Sequence, residues 1–192
     1  MLKVIWMCRA IIYKLAFGKF GFLSYIGPVT YLSGVSHLFF GKKVRIYPHA
    51  RIESLGGRVV IGDNVSIGQN IHIISTQEVF IGKDTTISSN VFISDTDHCY
   101  TELGKHIMEQ PVSNKKTIIS DNCFIGFGVA ILPGSILGKQ CVVGANSVVK
   151  GSYPDYSVIV GSPAVIVKRF DLKTNSWRKT KPCGKFIENN VF

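Results

Sequence analysis

The sequence lacks most of what would build a disulfide scaffold, a membrane span or a zinc site. Its five cysteines, an odd number, include no C-x-x-C pair and no Cys/His spacing of the zinc type. That favours a reducing compartment over a disulfide framework and points to a cytoplasmic protein. The apolar stretch from Val4 to Phe17 is interrupted by Arg9 and Lys14. It is too short and too charged to span a bilayer, and it lacks a convincing small-residue cleavage site. Two readings of it stay open: a helix packed on the main body or a neighbouring subunit, or a surface anchor at the cytoplasmic leaflet. Acid is absent from residues 1–45, which hold seven Lys/Arg, and residues 168–192 hold seven more against Asp171 and Glu188. The stretch between has eight basic and ten acidic residues, so the net charge of +10 belongs to the two ends. Basic ends suit anionic lipid or phosphate groups, whereas the near-neutral middle argues against a nucleic-acid surface. Helical 3.6-residue periodicity is missing from residues 44 to 166.

What the sequence does have is a strict period of six. In a chain of 192 residues, 46% hydrophobic and sized for one domain, Ile119, Ile125, Ile131, Leu137, Val143 and Val149 are each six apart. Ile61, Ile67 and Ile73, then Ile81, Ile87 and Ile93, repeat the spacing, with Ile46 and Ile52 as a partial first turn. Ile, Leu and Val number 53 of 192, so six successive hits at a preset phase would arise by chance only about once in two thousand. Two positions before each hit stands a second small or branched residue, such as Val59, Val79, Cys123 or Cys141, and glycine often follows it. Positions two apart share a face of a strand. Each hexad therefore makes a short strand with two inward side chains, and then a corner where glycine permits unusual backbone angles. Three hexads close one coil of a three-sided prism. The fold class is all-β, a parallel β-helix spanning residues 44–169. An N-terminal apolar and basic segment with a short helix (1–43) precedes it, and a basic tail (170–192), without a functional account, follows. Residues 53–60 and 74–80 stretch the spacing to nine and eight, and between Ile93 and Ile119 the repeat is broken by a polar excursion over about residues 94–116. A long loop on an otherwise strict solenoid is where function should be sought.

The stretches "VFISDTDHCY" (91–100), "TIISDNCFIGFGVAILPGSILGKQCVVGANSVVKG" (117–151) and "SVIVGSPAVIVKRF" (157–170) resemble the hexapeptide-repeat acyltransferases. Within that family the chain is most similar to sugar and surface-polysaccharide O-acetyltransferases. The likeness covers roughly residues 40–169. It implies a left-handed coil, a homotrimer, acetyl-CoA as acetyl donor and a sugar or glycan acceptor. The five histidines lack the spaced set that would ligate zinc, so no metal is expected. Phe124 stands where the family usually has Trp, Ser120 where it usually has Gly, and "GSPAV" replaces a form with Asn and Lys.

Acetyl transfer from a thioester needs a base for the hydroxyl proton and a donor for the developing oxyanion. An imidazole, with an ordinary pKa near 6.5, suits the first task at cytosolic pH. The family's catalytic histidine matches His98, and Asp97 or Asp95 is the candidate to orient its ring. The resemblance gives the oxyanion donor as the backbone N–H of Phe127. It sets the donor molecule along Gly126, Gly144 and Ala145, with Lys150, Lys168 and Arg169 near its phosphates. His72 is expected to point outward, Asn90 to fill a left-handed corner, and Cys123 and Cys141 to stack inside as reduced core residues. Alternatives remain: an N-acetyltransferase or drug-modifying enzyme on the same scaffold, a β-helical zinc carbonic anhydrase, or a non-catalytic structural β-helix. The anhydrase needs three histidines shared across a trimer, and His72, His98 and His106 lack its close His pair. The structural protein would need neither the His-bearing excursion nor the "GSPAV" closure.

Overall fold

The computed structural model describes residues 2–187. Three parallel sheets form the sides of a prism, and each short strand hydrogen-bonds to its counterpart one coil away. The in-register pairs create interior columns. Phe20, Phe40, Ile61, Ile81, Ile119, Leu137 and Tyr153 stack on the first face. Ile26, Ile46, Ile67, Ile87, Ile125, Val143 and Ile159 stack on the second. Leu32, Ile52, Ile73, Ile93, Ile131 and Val149 stack on the third. From Ile46 through Val149 these side chains are almost wholly buried, each contributing about 1.5–3 kcal/mol. The six-residue period is thus the period of one prism side.

The corners correct one expectation. After Ile61, Ile67, Ile81, Ile87 and Ile119 the left-handed residues are Asn64, Asn70, Asp84, Asn90 and Asn122, with φ between 56° and 60°. The unusual angle falls three residues after the aliphatic, on side chains that tolerate it. Asn90 is where it was expected to be. Where a glycine directly follows the aliphatic, as at Gly62, Gly68, Gly82, Gly126 and Gly138, it serves close approach instead. A Cβ on Gly62 would lie 2.6 Å from Lys83 N of the next coil, and one on Gly126 would lie 2.7 Å from Ala145 N.

Both ends differ from the expected boundaries. Strands at Lys19–Phe20, Tyr25–Ile26 and Val29–Ser33 already form a first coil, so the solenoid begins well before residue 44. Phenylalanine at 20 and 40 fills the interior position that aliphatics hold later. Helix α1 (Leu2–Ala16) packs over this first coil. Trp6, Ala10, Tyr13 and Phe17, spaced by three or four, line one helix face. Trp6 meets Tyr25 with ring centroids 5.8 Å apart, and Phe17 meets Phe40 at 5.3 Å. At the other end Ala164–Asp171 and Ser176–Lys179 continue the second face as antiparallel strands. The supposed tail is therefore folded to Lys179, where Arg178 beside Asp171 (2.7 Å) holds that carboxyl below its usual range. Glu188, one of the two tail acids, lies outside the described residues. Cys123 and Cys141 are buried free thiols. The adjacent Cys141 thiol, and then burial, push the Cys123 thiol up, as befits inert core residues.

Candidate active site

The excursion leaves the prism after Ser94, at the edge between the third and first faces. It forms a two-stranded antiparallel arm from Thr96–His98 and Val112–Asn114. Its root is clamped. Asp95, fully buried, accepts from Ser75 Oγ (2.8 Å), Thr76 N (2.8 Å), Thr76 Oγ1 (3.2 Å) and Gln77 N (2.9 Å). Thr117 Oγ1 donates to Ser94 O at 2.7 Å where the chain re-enters the coil. Farther out, the Gln110 side chain bonds Glu102 N, Glu102 O and Lys105 O, closing the loop on itself.

His98 sits on the arm with an exposed ring. Its backbone N–H donates to Asp97 Oδ1 at 2.9 Å, and among the described residues no side chain hydrogen-bonds its imidazole. The two aspartates thus part company. Asp97 stays beside His98, although its carboxylate reaches the main chain and not the ring, while Asp95 points into the prism corner at residues 75–77. On one continuous strand residues two apart would share a face. The chain bends at Asp95, however, between Phe92–Ser94 of the coil and Thr96–His98 of the arm, and the two carboxylates diverge. Asp95 anchors the arm and does not orient the imidazole.

Two cavities meet at His98. One, of about 460 Å³, runs beneath the arm against the third face and is walled by Leu55, Ile74, Phe92, Met108, Val112, Leu132 and Pro133, with Thr96, Asp97 and His98 on its polar rim. The other, of about 230 Å³, brings His98 and Asp97 together with Tyr100, Lys115 and Lys150. Among the described residues neither lysine forms an ion pair, so this cleft is electropositive. Lys150 is therefore a neighbour of His98. Lys115, Phe92, Ile74 and Leu132 were missed from the sequence. They become visible only once the coil register shows which outward side chains lie under the arm.

The remaining expected residues stand elsewhere. Gly126 and Phe127, and one coil on Gly144 and Ala145, form corners between the second and third faces, a different edge from that of the arm. The Phe127 ring is half exposed, and among the described residues no acceptor takes its N–H. Lys168 is exposed on the closing hairpin, whereas Arg169 turns toward Gly184 O (3.4 Å) and the Phe186 ring. One copy of the chain does not bring His98 and Phe127 together.

The histidines lead separate lives. His72 points outward, as expected, with Nε2 3.1 Å from Glu53 Oε1 and its ring edge-on to Phe92. Glu53 also pairs with Arg51 Nε at 2.6 Å. Arg51 first, and then His72, hold the Glu53 carboxyl below its ordinary range despite burial. His106 Nδ1 accepts from Met108 N.

The family model described as "Bacterial transferase hexapeptide (six repeats)" matches residues 116–151. A protein of Escherichia coli (strain K12) named as a lipopolysaccharide biosynthesis O-acetyl transferase, WbbJ, is 35% identical over 162 residues, which cover 78% of this chain and 80% of that one. A galactoside O-acetyltransferase of Lactococcus lactis subsp. lactis (strain IL1403) is 28% identical over 177 residues, 91% of this chain and 83% of its own. Among solved structures, a mutant of AntD, an N-acyltransferase from Bacillus cereus in complex with dTDP and coenzyme A, aligns over 85% of this chain and 90% of its own. The TM-score is 0.75 at 22% identity, a likeness of fold. At the identity and coverage found with the Escherichia coli protein, the chain belongs to the hexapeptide-repeat acyltransferases, enzymes built on the left-handed parallel β-helix.

Proposed function

We propose that this enzyme moves an acetyl group from acetyl-CoA to a sugar hydroxyl of a surface polysaccharide, lipopolysaccharide or their precursor. The names of its relatives support the acceptor class. The observation that carries the reading is the placement of His98, an imidazole free of internal partners on a clamped arm where two cavities meet. His98 takes the proton of the acceptor hydroxyl as that oxygen attacks the thioester carbonyl carbon. The C–O bond forms, the C–S bond breaks, and the imidazolium returns its proton to the departing thiolate. A backbone N–H, that of Phe127, stabilises the charge on the carbonyl oxygen. Asp97 holds the main chain at His98, its carboxylate accepting the His98 N–H at 2.9 Å.

The working form is a homotrimer. The contacts of a closed ring of three are heterologous, joining two different surfaces, so the arm edge of one copy can meet the Gly126–Phe127 edge of the next. An outward apolar ladder on the first face, Phe39, Val60, Phe80, Ile118 and Ile136, five coils tall, supports such packing. The donor then runs along Gly126, Gly144 and Ala145, with Lys150 and Lys168 near its phosphates. No described helix is long and apolar enough to cross a membrane. In this reading the enzyme works on the cytoplasmic side, in peripheral contact with the membrane face.

The test is incubation of the purified protein with acetyl-CoA and a panel of sugars, lipopolysaccharide fragments and amines, with products read by mass spectrometry. A gain of one acetyl group on a sugar hydroxyl is expected. Transfer only to amines would overturn the O-acetyl assignment.

A further inference from the structure

Helix α1 has two apolar faces, and the prism uses only one. On a helical wheel Trp6, Ala10, Tyr13 and Phe17 point to the first coil. Ile5, Ile11, Ile12 and Leu15 point the opposite way, and Ile11, Ile12 and Leu15 are 67%, 66% and 90% exposed. Arg9 borders this free arc on one side and Lys14 on the other. The adjoining corner extends it with Phe22, 66% exposed, and Leu23. Leu23 has a φ of 58° and is the one aliphatic among the non-glycine left-handed residues described. Asparagine or glycine would hold that turn at lower cost, so the turn is used to present an apolar side chain.

Charge identifies the occupant. The first 45 residues carry seven basic side chains and no acid. A second copy of this end would bring like charges together, which disfavours self-docking. An anionic surface is complementary. A helix with a free apolar arc flanked by cations is the form that lies in a bilayer interface, its apolar face in the headgroup–acyl boundary and its lysines and arginines at the phosphates.

We propose that the free face of α1, with Phe22 and Leu23, docks the enzyme on an anionic lipid surface. This deepens the peripheral membrane contact of the proposed function and rests on that element of it. The arm bearing His98 leaves the prism three coils farther on, so docking occupies no residue of the candidate site.

The test is co-sedimentation of the purified full chain with vesicles of phosphatidylglycerol and phosphatidylethanolamine, or of phosphatidylcholine alone. Thiol release from acetyl-CoA with a soluble sugar is followed in parallel. Binding to the anionic vesicles is expected, weakened by salt and at least tenfold stronger than to phosphatidylcholine. Ile11→Glu with Leu15→Glu, and separately Lys14→Glu with Lys19→Glu, should lower it tenfold or more while leaving melting temperature and thiol release unchanged. Absence of vesicle binding would overturn the proposal, as would binding indifferent to both double variants. So would self-association lost on Leu15→Glu without lipid binding. Vesicle binding without acetyl transfer to any acceptor would overturn the catalytic reading and leave the docking surface standing.

Discussion

The Ser75 hydroxyl lies 2.8 Å from the buried Asp95 carboxylate and 3.0 Å from Arg58 O, so its single proton is shared between two acceptors, the closer being the carboxylate at the root of the His98 arm. Asp95→Ala would leave the Thr76 and Gln77 N–H groups without their acceptor. Hydrogen bonds to charged groups contribute about 1.5–3 kcal/mol each. Urea denaturation should show a loss of at least about 2 kcal/mol. A variant as stable as the parent would refute the clamp.

Glu53 gives a pH dependence. Its carboxyl is held below the ordinary range by Arg51 and His72, so the unfolded chain binds the proton more readily than the folded one. The stabilisation is fully present above the unfolded glutamate pKa of about 4.3 and is lost as pH falls through the lower folded value. Glu53→Gln should flatten the stability profile on the acid side of that value. Thermal melts from neutral to acid pH check it, and unchanged curvature in the variant would exclude Glu53.

Gly126 is a test of coil spacing. An added Cβ meets Ala145 N at 2.7 Å and Val143 O at 2.8 Å, both backbone, so the next coil has to shift as a whole. Gly126→Ala should cost about 1–3 kcal/mol, although φ there needs no glycine. A neutral result by chemical denaturation would mean that the coils are less tightly stacked.

Assembly predicts complementation. His98→Ala damages one edge of the prism, and Ala145→Trp, at an exposed corner, obstructs the other. Each alone should be inactive. Co-refolded in equal amounts, they should regain about a quarter of the parental sites by random assortment around a ring of three. Failure to regain any activity would argue that a single chain holds the whole site.

The interior columns were legible because one side chain in six must enter the prism, which prints a period on the sequence. The first coils were not, since Phe20 and Phe40 do the same work with another residue type inside a segment dominated by charge and helix signals. The position of the arm could be read from the broken repeat, but its neighbours could not. Phe92 and Ile74 look like ordinary strand residues until coil stacking sets them beneath Met108 and Val112. The choice between Asp95 and Asp97 was beyond the sequence, because the two lie two residues apart at the bend where coil becomes arm. The glycines that follow many of the aliphatics could not be told from left-handed turns, since crowding by the next coil selects the same residue type.

The central claim is that the His98 imidazole takes the proton in acetyl transfer. Steady-state thiol release from acetyl-CoA with the best sugar acceptor, measured on the parent and on His98→Ala of equal melting temperature, tests it most directly. A fall in kcat of about 10²–10⁴-fold is expected. Near-parental turnover in His98→Ala would contradict it.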